Sequence, residues 1–358
     1  MQRLPARLFH DLIPELFVAA GSERSEASIV AEHLVESSLM GHDSHGLLRV
    51  PKYLTWLKEG QVMANRHVTV FIDSGALLGL DGGFGFGQVV GREAMEMVIA
   101  RTRQHGFCAA GIRNSGHLGR IGAWAEQLAR VGLVSIHFVN SSGFGILVAP
   151  HGGIDRRLSA NPIAAGTPGP DGPMILDIAT SSTAEGKIQV ARNRQERIPA
   201  GLILDADGQP TDDPVAFYGP PPGAILPFGG HKGSGLSLFC EILAGSLTGG
   251  GASHPLNPTA GRMINNMLTL AFDPSALGQA GAFGADVTRL TEWIRSSRPA
   301  EPNGKILLPG EVERRTMSDR SLHGIPIDPA TASQLVTSAD KLGLKPPPEL
   351  VNVSQEAS

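Results

Sequence analysis

Apolar positions recur along this chain with two different periods, and the change of period divides it. In "SEASIVAEHLVESSLMG" the small or apolar residues Ala27, Val30, Ala31, Leu34 and Ser38 fall on one face of a helix, with Gly41 as its stop. A further helix precedes it and ends at Gly21, so the first 60 residues predict a helical cap and no sheet. From "HVTVFID" onward, short β-rich runs ("FCAAGIR", "LVSIHFV", "MILDIAT", "AGLILD", "MLTLAFD", "KILLP") mix with helical stretches such as "LGRIGAWAEQLARVG" and "GSGLSLFCEILAGSL". This predicts an α/β, mixed α+β centre over residues 67 to about 310. In "IDPATASQLVTSADKLG" the helical period returns, with Asp328 as N-cap and Pro329 at the first helical position. Helices at both ends predict one helical domain built from residues 1–65 and 313–358, with an α/β domain of residues 66–312 inserted in it.

The stretch "LGLDGGFGFGQVVGREAMEMVIA", residues 78–100, reads as strand, glycine-rich turn and helix. A dinucleotide fingerprint needs G-x-G-x-x-G, and here Gly85 and Gly87 supply only the first pair while Val90 holds the third position. Where an acidic residue should meet a ribose, about 20 residues on, the chain reads "GFCAAGIRN". A tight turn that packs a helix on a sheet is the favoured reading.

Composition narrows the function classes. The chain has 358 residues, 41% hydrophobic and 18% charged, which fits a globular protein of about two domains. A formal charge of -4 and a pI near 6.3 argue against nucleic acid as a partner. Cys108 and Cys240 lie in apolar runs and read as buried free thiols, which makes the cytoplasm the default address. The N-terminus lacks the features of a signal peptide, and no uncharged apolar run is long enough to predict a membrane span.

Four segments concentrate polar chemistry. In "MGHDSHGLLRVPKYL", Pro51 belongs in a helix's first turn, which starts the helix near Leu48 and leaves Ser44 and His45 just before it, with Arg49 in its opening turn. Free amides, the positive end of the helix dipole and a guanidinium together suit a carboxylate. A structural reading makes Asp43 and Ser44 caps and His45 a hydrogen-bonded packing residue. His42 and His45 have no third ligand in zinc spacing, so no metal is expected. His117, in "RNSGHLGRIGAWAEQ", sits between a predicted strand and a predicted helix, where an imidazole suits proton exchange or merely caps a turn. Glycines and Lys232 before a helix in "PFGGHKGSGLSLFCEILAG" suit phosphate, without satisfying a Walker loop. Asp177, Thr180 and Ser181 end a strand in "LDIATSSTAEGK" and suit ribose or phosphate. "LDADGQPTDDP" lacks the acidic pattern of a calcium loop and reads as a hairpin.

Taken together, "GHDSHGLLRVPKYL", "NSGHLGRIGAWAE", "NPIAAGTPG", "LDIATSSTAEGK", "GGHKGSGLSLFCEILAGSLTGG" and "ILLPGE" resemble the malate/L-lactate dehydrogenase family. "HFVNSSG", "HKG" and "LLPGE" look most like its hydroxycarboxylate dehydrogenase B branch, and the motifs span residues 41 to 311 in family order. The resemblance implies a non-Rossmann fold that binds NAD or NADP, a homodimer, and hydride transfer between nicotinamide and a small 2-hydroxy or 2-oxo acid of malate or lactate type. Relatives acting on ureidoglycolate, sulfolactate or a cyclic imino acid are the alternative; a metal-dependent hydrolase is a more distant one. Carried over, the cofactor contacts fall on His45, on the turn Arg120, Ile121 and Gly122, and on Ser141. They continue through Asp177, Ile178, Ala179, Thr180 and Ser181 to Lys232 and Asn265, and end at Leu308, Pro309, Gly310 and Glu311. The branches of the family divide between the histidines matching His45 and His117 for the proton, and this sequence has both; our reading takes Arg49 as carboxylate clamp, His117 as proton carrier, and His45 with Ser44 as orienting groups.

Overall fold

The computed structural model describes residues 2–355 apart from 144, 194, 258–260, 279 and 303. The outermost residues of the two expected terminal segments, residue 1 and residues 356–358, lie outside the described residues. The chain opens with a short strand, β1 (Gln2–Leu4), then α1 (Ala6–Ala19) and α2 (Arg24–Leu39). All five residues expected on the inner face of α2 are buried, and Gly41 follows in the left-handed region at φ +87°. Two 3-10 turns, Asp43–His45 and Leu47–Arg49, lead into α3 (Val50–Lys58), which carries Pro51 in its first turn as expected.

The central region alternates strands and helices: β2 (Thr69–Ser74), β3 (Leu77–Asp81), α4 (Gly87–His105), β4 (Phe107–Ser115), α5 (Gly122–Arg130), β5 (Val134–Gly143), β6 (Ile163–Thr167) and β7 (Met174–Ile178). A satellite follows, made of α6 (Glu185–Asn193), β8 (Ile203–Leu204), β9 (Pro210–Thr211), α7 (Pro214–Tyr218) and β10 (Ala224–Ile225). Strands β8 and β9 are the two arms of the hairpin expected at "LDADGQPTDDP". Next come α8 (His231–Cys240), continued without a break by the π-helical segment Glu241–Ser246, then β11 (Met263–Phe272), α9 (Pro274–Leu277) and α10 (Ala280–Arg295). The chain closes with α11 (Glu311–His323), β12 (Ile325–Ile327), α12 (Pro329–Lys341) and α13 (Pro348–Gln355). Asp328 caps α12 by accepting from the Thr331 N–H at 2.9 Å.

The main sheet has seven strands in the order β2-β3-β4-β11-β5-β6-β7, with β3 and β4 parallel and every other pair antiparallel. Helices α4 and α5 pack on one face through Ala94, Met95, Trp124 and Leu128, and the π-helical segment packs against β5 and β11. A second core joins the ends of the chain: Phe9, Leu16, Phe17 and Leu34 meet Ile325, Leu335 and Leu350. Each such side chain contributes roughly 1.5–3 kcal/mol when fully buried, so packing dominates over the few hydrogen bonds of the three-residue β1–β12 pair.

Two expectations are corrected. The terminal region is not purely helical, because β1 pairs antiparallel with β12 and so ties the two ends together. "KILLP" forms no strand: Pro309 and Gly310 break the extended run, and the Pro309 carbonyl instead accepts a single bond from the Ile175 N–H on the edge strand β7. The glycine-rich turn has the packing role its spacing suggested. A Cβ on Gly87 would lie 2.2 Å from the His117 carbonyl oxygen, so only glycine lets α4 start against that turn.

His137 is fully buried in the sheet, its ring nitrogens 2.9 Å from the hydroxyls of Thr269 and Ser135. Burial holds its pKa down to about 3. The folded state therefore keeps His137 neutral while the unfolded chain protonates below 6.5, so stability falls as pH drops from about 6.5 toward 3. His137→Gln should flatten the loss of unfolding free energy between pH 6 and 5 by about 1 kcal/mol per pH unit. An unchanged slope in urea titrations would show that the ring does not carry this linkage.

Candidate active site

The turn before α3 is a scaffold for one guanidinium. Asp43 is gripped by Arg320 through both carboxylate oxygens, at 2.5 and 3.1 Å, which docks the turn against α11 and answers the capping question for Asp43. Arg49 Nε donates to the Ser44 carbonyl at 2.6 Å, folding the side chain back over its own turn. Neither terminal nitrogen of Arg49 has a hydrogen-bond partner among the described residues, and Arg49 forms no ion pair there. The fork is therefore open to a carboxylate.

One helical turn on, Tyr53 points the same way. Its hydroxyl lies 2.6 Å from His117 Nδ1 and accepts a hydrogen bond from Gln88 Nε2 at 3.0 Å, while Gln88 also donates to the His117 carbonyl at 3.2 Å. Burial pushes the Tyr53 hydroxyl up to about 12, so it keeps its proton and donates it to a neutral His117. The His117 proton is then on Nε2, the nitrogen left for a substrate. His45 stacks on His117 with centroids 5.3 Å apart and planes 6° from parallel. Burial, reinforced by the Arg49 charge, pushes His45 down to about 3 and His117 well below its ordinary value. Two neutral imidazoles thus lie near a cation, and His45 Nδ1 has no hydrogen-bond partner among the described residues.

The residues after His117 are fixed from α2. His33 Nε2 accepts the backbone N–H of Arg120 at 3.0 Å, its ring stacked on Trp124 at 5.2 Å. Burial holds His33 down to about 3, which keeps that nitrogen an acceptor. Gly119 sits at φ +72°, and a Cβ there would come within 2.2 Å of His33 Nε2, so no other residue fits between them.

A strip of backbone runs from this turn to Lys232. Asp177 accepts the Gly122 N–H at 2.7 Å, and burial raises its pKa. Thr180 and Ser181, both buried, donate their hydroxyls to the carbonyls of Ala160 and Thr183 and pair with the Pro227–Phe228 segment that leads into α8. Lys232 is exposed in the first turn of α8 and has no ion pair among the described residues. Ile178, exposed, and Ala179, partly buried, lie on the same edge. The Leu308, Pro309, Gly310 and Glu311 segment lies against Ile175 of that edge, with Glu311 accepting the Leu308 N–H at 2.9 Å.

Two expected contacts turn inward. Arg120 is 4% exposed and pairs with Glu126 at 3.0 Å. Asn265 is 3% exposed and spends its amide on Leu118, Ser141 and the Asn140 carbonyl. Ser141 is held by Asn265 and by Asn161. His42 goes to Glu313 at 3.5 Å, and among the described residues no three His, Cys, Asp or Glu side chains form a metal-binding group.

The sequence profile of malate/L-lactate dehydrogenase matches residues 5–336. Hydroxycarboxylate dehydrogenase B of Escherichia coli (strain K12) is 39% identical over 345 residues, covering 96% of this chain and 95% of that protein. The chain belongs to the malate/L-lactate dehydrogenase family. L-lactate dehydrogenase of Cupriavidus necator is 39% identical over 323 residues, covering 90% of this chain and 92% of that protein. A solved structure of a putative malate/lactate dehydrogenase from E. coli superposes with a TM-score of 0.91 at 39% identity, covering the whole of both chains. The protein is thus an oxidoreductase of the hydroxy-acid dehydrogenase type, on the fold expected from its motifs.

Tyr53 and Gln88 were not singled out by the sequence, although Tyr53 stands one helical turn after Arg49. Tyr53→Phe removes the hydroxyl and keeps the ring. We expect an intact fold by circular dichroism and a kcat about tenfold lower, short of the roughly 100-fold or more that a positioned acid or base itself supplies. An unchanged kcat would reduce Tyr53 to packing.

Proposed function

We propose that the chain reduces a small 2-oxo acid, and oxidises the matching 2-hydroxy acid, with NAD or NADP. The observation that carries this reading is the open guanidinium fork of Arg49 beside the neutral, tyrosine-anchored His117. Arg49 grips the substrate carboxylate with two parallel hydrogen bonds and so fixes the neighbouring carbonyl carbon. A bound anion offsets the Arg49 charge that helps depress His117, which raises its proton affinity toward neutrality. Protonated, the ring donates from Nε2 to the forming alkoxide and from Nδ1 to Tyr53 Oη, which changes from donor to acceptor. His45 and Ser44 orient the carbonyl.

The strip from Gly122 through Asp177 to Lys232 fits a dinucleotide: an exposed lysine in the first turn of α8 suits phosphate, and a carboxylate set back beside the Gly122 N–H suits a ribose or amide edge. A nicotinamide cofactor held along this strip would supply hydride chemistry at the carbon that Arg49 fixes. Arg120 and Asn265 serve this site by shaping backbone, since their side chains are engaged inside the protein. The division into a helical domain of residues 1–65 and 313–358 around a cofactor domain of 66–312 is supported by a core that gathers both chain ends, which also takes in Phe86 and Val89 where α4 meets it, and by a distinct core on the main sheet. Exposed Leu238, Phe239 and Ile242 on α8 and its π-helical extension favour a homodimer. Two buried free thiols, Cys108 and Cys240, and no helix apolar enough to cross a membrane among the described residues suit a cytoplasmic setting.

A panel of 2-oxo acids against both reduced cofactors, followed at the nicotinamide absorbance, tests the function, and no turnover with any pair would overturn it. Within that panel Arg49→Lys should cost about 2 kcal/mol or more in kcat/KM, because a point charge cannot reproduce the planar grip. Ester or amide analogues should lose much less, and cofactor affinity should hardly move. Equal losses on charged and uncharged substrates would make Arg49 a helix-start residue.

A further inference from the structure

The mechanism above leaves one deeply buried acid unused. Glu241, 4% exposed, opens the π-helical segment that continues α8. Its carboxylate accepts Asn161 Nδ2 at 2.8 Å, Asn140 Nδ2 at 2.9 Å and the Ser253 N–H at 2.9 Å. Among the described residues it has no ion pair, so these hydrogen bonds alone offset its removal from water.

A carboxylate without a proton only accepts, so both asparagines turn their NH2 groups toward it, and that choice orders everything beyond. Asn140 Oδ1 is left to accept Asn266 Nδ2 at 2.9 Å, and Asn266 Oδ1 accepts the backbone N–H of Asn114 at 3.0 Å. On the other arm Asn161 Oδ1 accepts the Ser141 N–H at 3.2 Å, Ser141 Oγ accepts Asn265 Nδ2 at 2.8 Å, and Asn265 Oδ1 accepts the Leu118 N–H at 2.9 Å. In each arm the hydrogen bonds that link one member to the next all run toward Glu241, so these bonds polarise one another in the same sense, while the same amides also donate to Gly251, to Ser237 and to the Asn140 carbonyl. The arms end at Asn114 and Leu118, which bracket His117. A register shift in β11 between Asn265 and Met267, opposite β4, is what lets two successive asparagines serve different arms. Asn114 itself stands at φ +55°, a conformation that local sterics do not favour, so the turn needs holding from outside.

We propose that Glu241 is a positioning residue that anchors, through Asn140 and Asn266 on one arm and Asn161, Ser141 and Asn265 on the other, the backbone on both sides of His117. The functional half of this proposal rests on the reading of His117 as proton carrier. Lys232 lies in the first turn of α8, which this segment continues, so the anchor also ties the turn around His117 to the helix beside the proposed cofactor strip.

Glu241→Gln keeps the size and turns one acceptor into an NH2 group facing other N–H donors. Backbone amide exchange over residues 114–118 should accelerate about tenfold or more in this variant, because the hydrogen bonds that close the segment are weakened at their source. The kcat for 2-oxo acid reduction should fall about tenfold, with the KM for reduced cofactor within about twofold, and in a His117→Ala background the same change should cost less than about twofold. Asn266→Leu cuts one arm and leaves Glu241 and its helix in place; it should reproduce the pattern more weakly and carries the test if Glu241→Gln does not fold. Unchanged exchange over residues 114–118, equal kcat losses in both backgrounds, or a loss confined to cofactor KM would each overturn the proposal. If His117→Ala alone left kcat unchanged, the reading of His117 would fail, and the exchange measurement would still decide whether Glu241 holds the turn.

Discussion

The contact between Tyr53 Oη and His117 Nδ1, 2.6 Å long, is where the two halves of this protein become one site. Tyr53 rides on the helix that follows the Arg49 turn, and His117 rides on the turn between β4 and α5. Around it His45 and Trp56 pack on the His117 ring, and Phe86 and Val89 at the start of α4 share one core with Tyr53, so the hydrogen bond adds direction to a packed junction. With it, the His117 ring has a fixed orientation and a fixed distance from the open guanidinium of Arg49, which is what the proposed proton transfer and carboxylate grip require. A misplacement of about 1 Å costs an enzyme about 100-fold, so the surrounding structure is best understood as what keeps this contact from drifting.

Three supports act on it, each physically different. Gln88 fixes the Tyr53 hydroxyl and the His117 carbonyl with one amide, at a helix start that only glycine at position 87 allows. His33, kept neutral by burial, takes the Arg120 N–H and so ends the turn. From the other direction the buried asparagine arms reach the amides on either side of His117. Apolar packing of α4 and α5 supplies the bulk of the stability, but it is non-directional, and side-chain placement at this precision needs the polar contacts.

The sequence made the fold class legible because period 3.6 and period 2 are local properties, read correctly at α2, α12 and most strands. The pairing of β1 with β12 was invisible, since three residues carry no period and the partner lies at the other end of the chain. "KILLP" had a strand's hydrophobicity but not its freedom, given Pro309 and Gly310. In the site, Ser44, His45, Arg49 and His117 were legible because turns before helices gather polar chemistry. Tyr53 and Glu241 were not, because what matters in each is a partner far along the chain. Arg120 and Asn265 show the converse: a motif picked out the positions, while only packing reveals that their side chains face inward.

The central claim, that His117 and not His45 moves the proton, is tested most directly by single-turnover oxidation of bound reduced cofactor in two variants. His117→Ala should slow that step by about 100-fold or more, in the range of a positioned acid, while His45→Ala should slow it by about tenfold or less. The reverse order would contradict the account, leaving His117 as a structural partner of Tyr53 and making His45, whose Nδ1 has no partner among the described residues, the proton carrier.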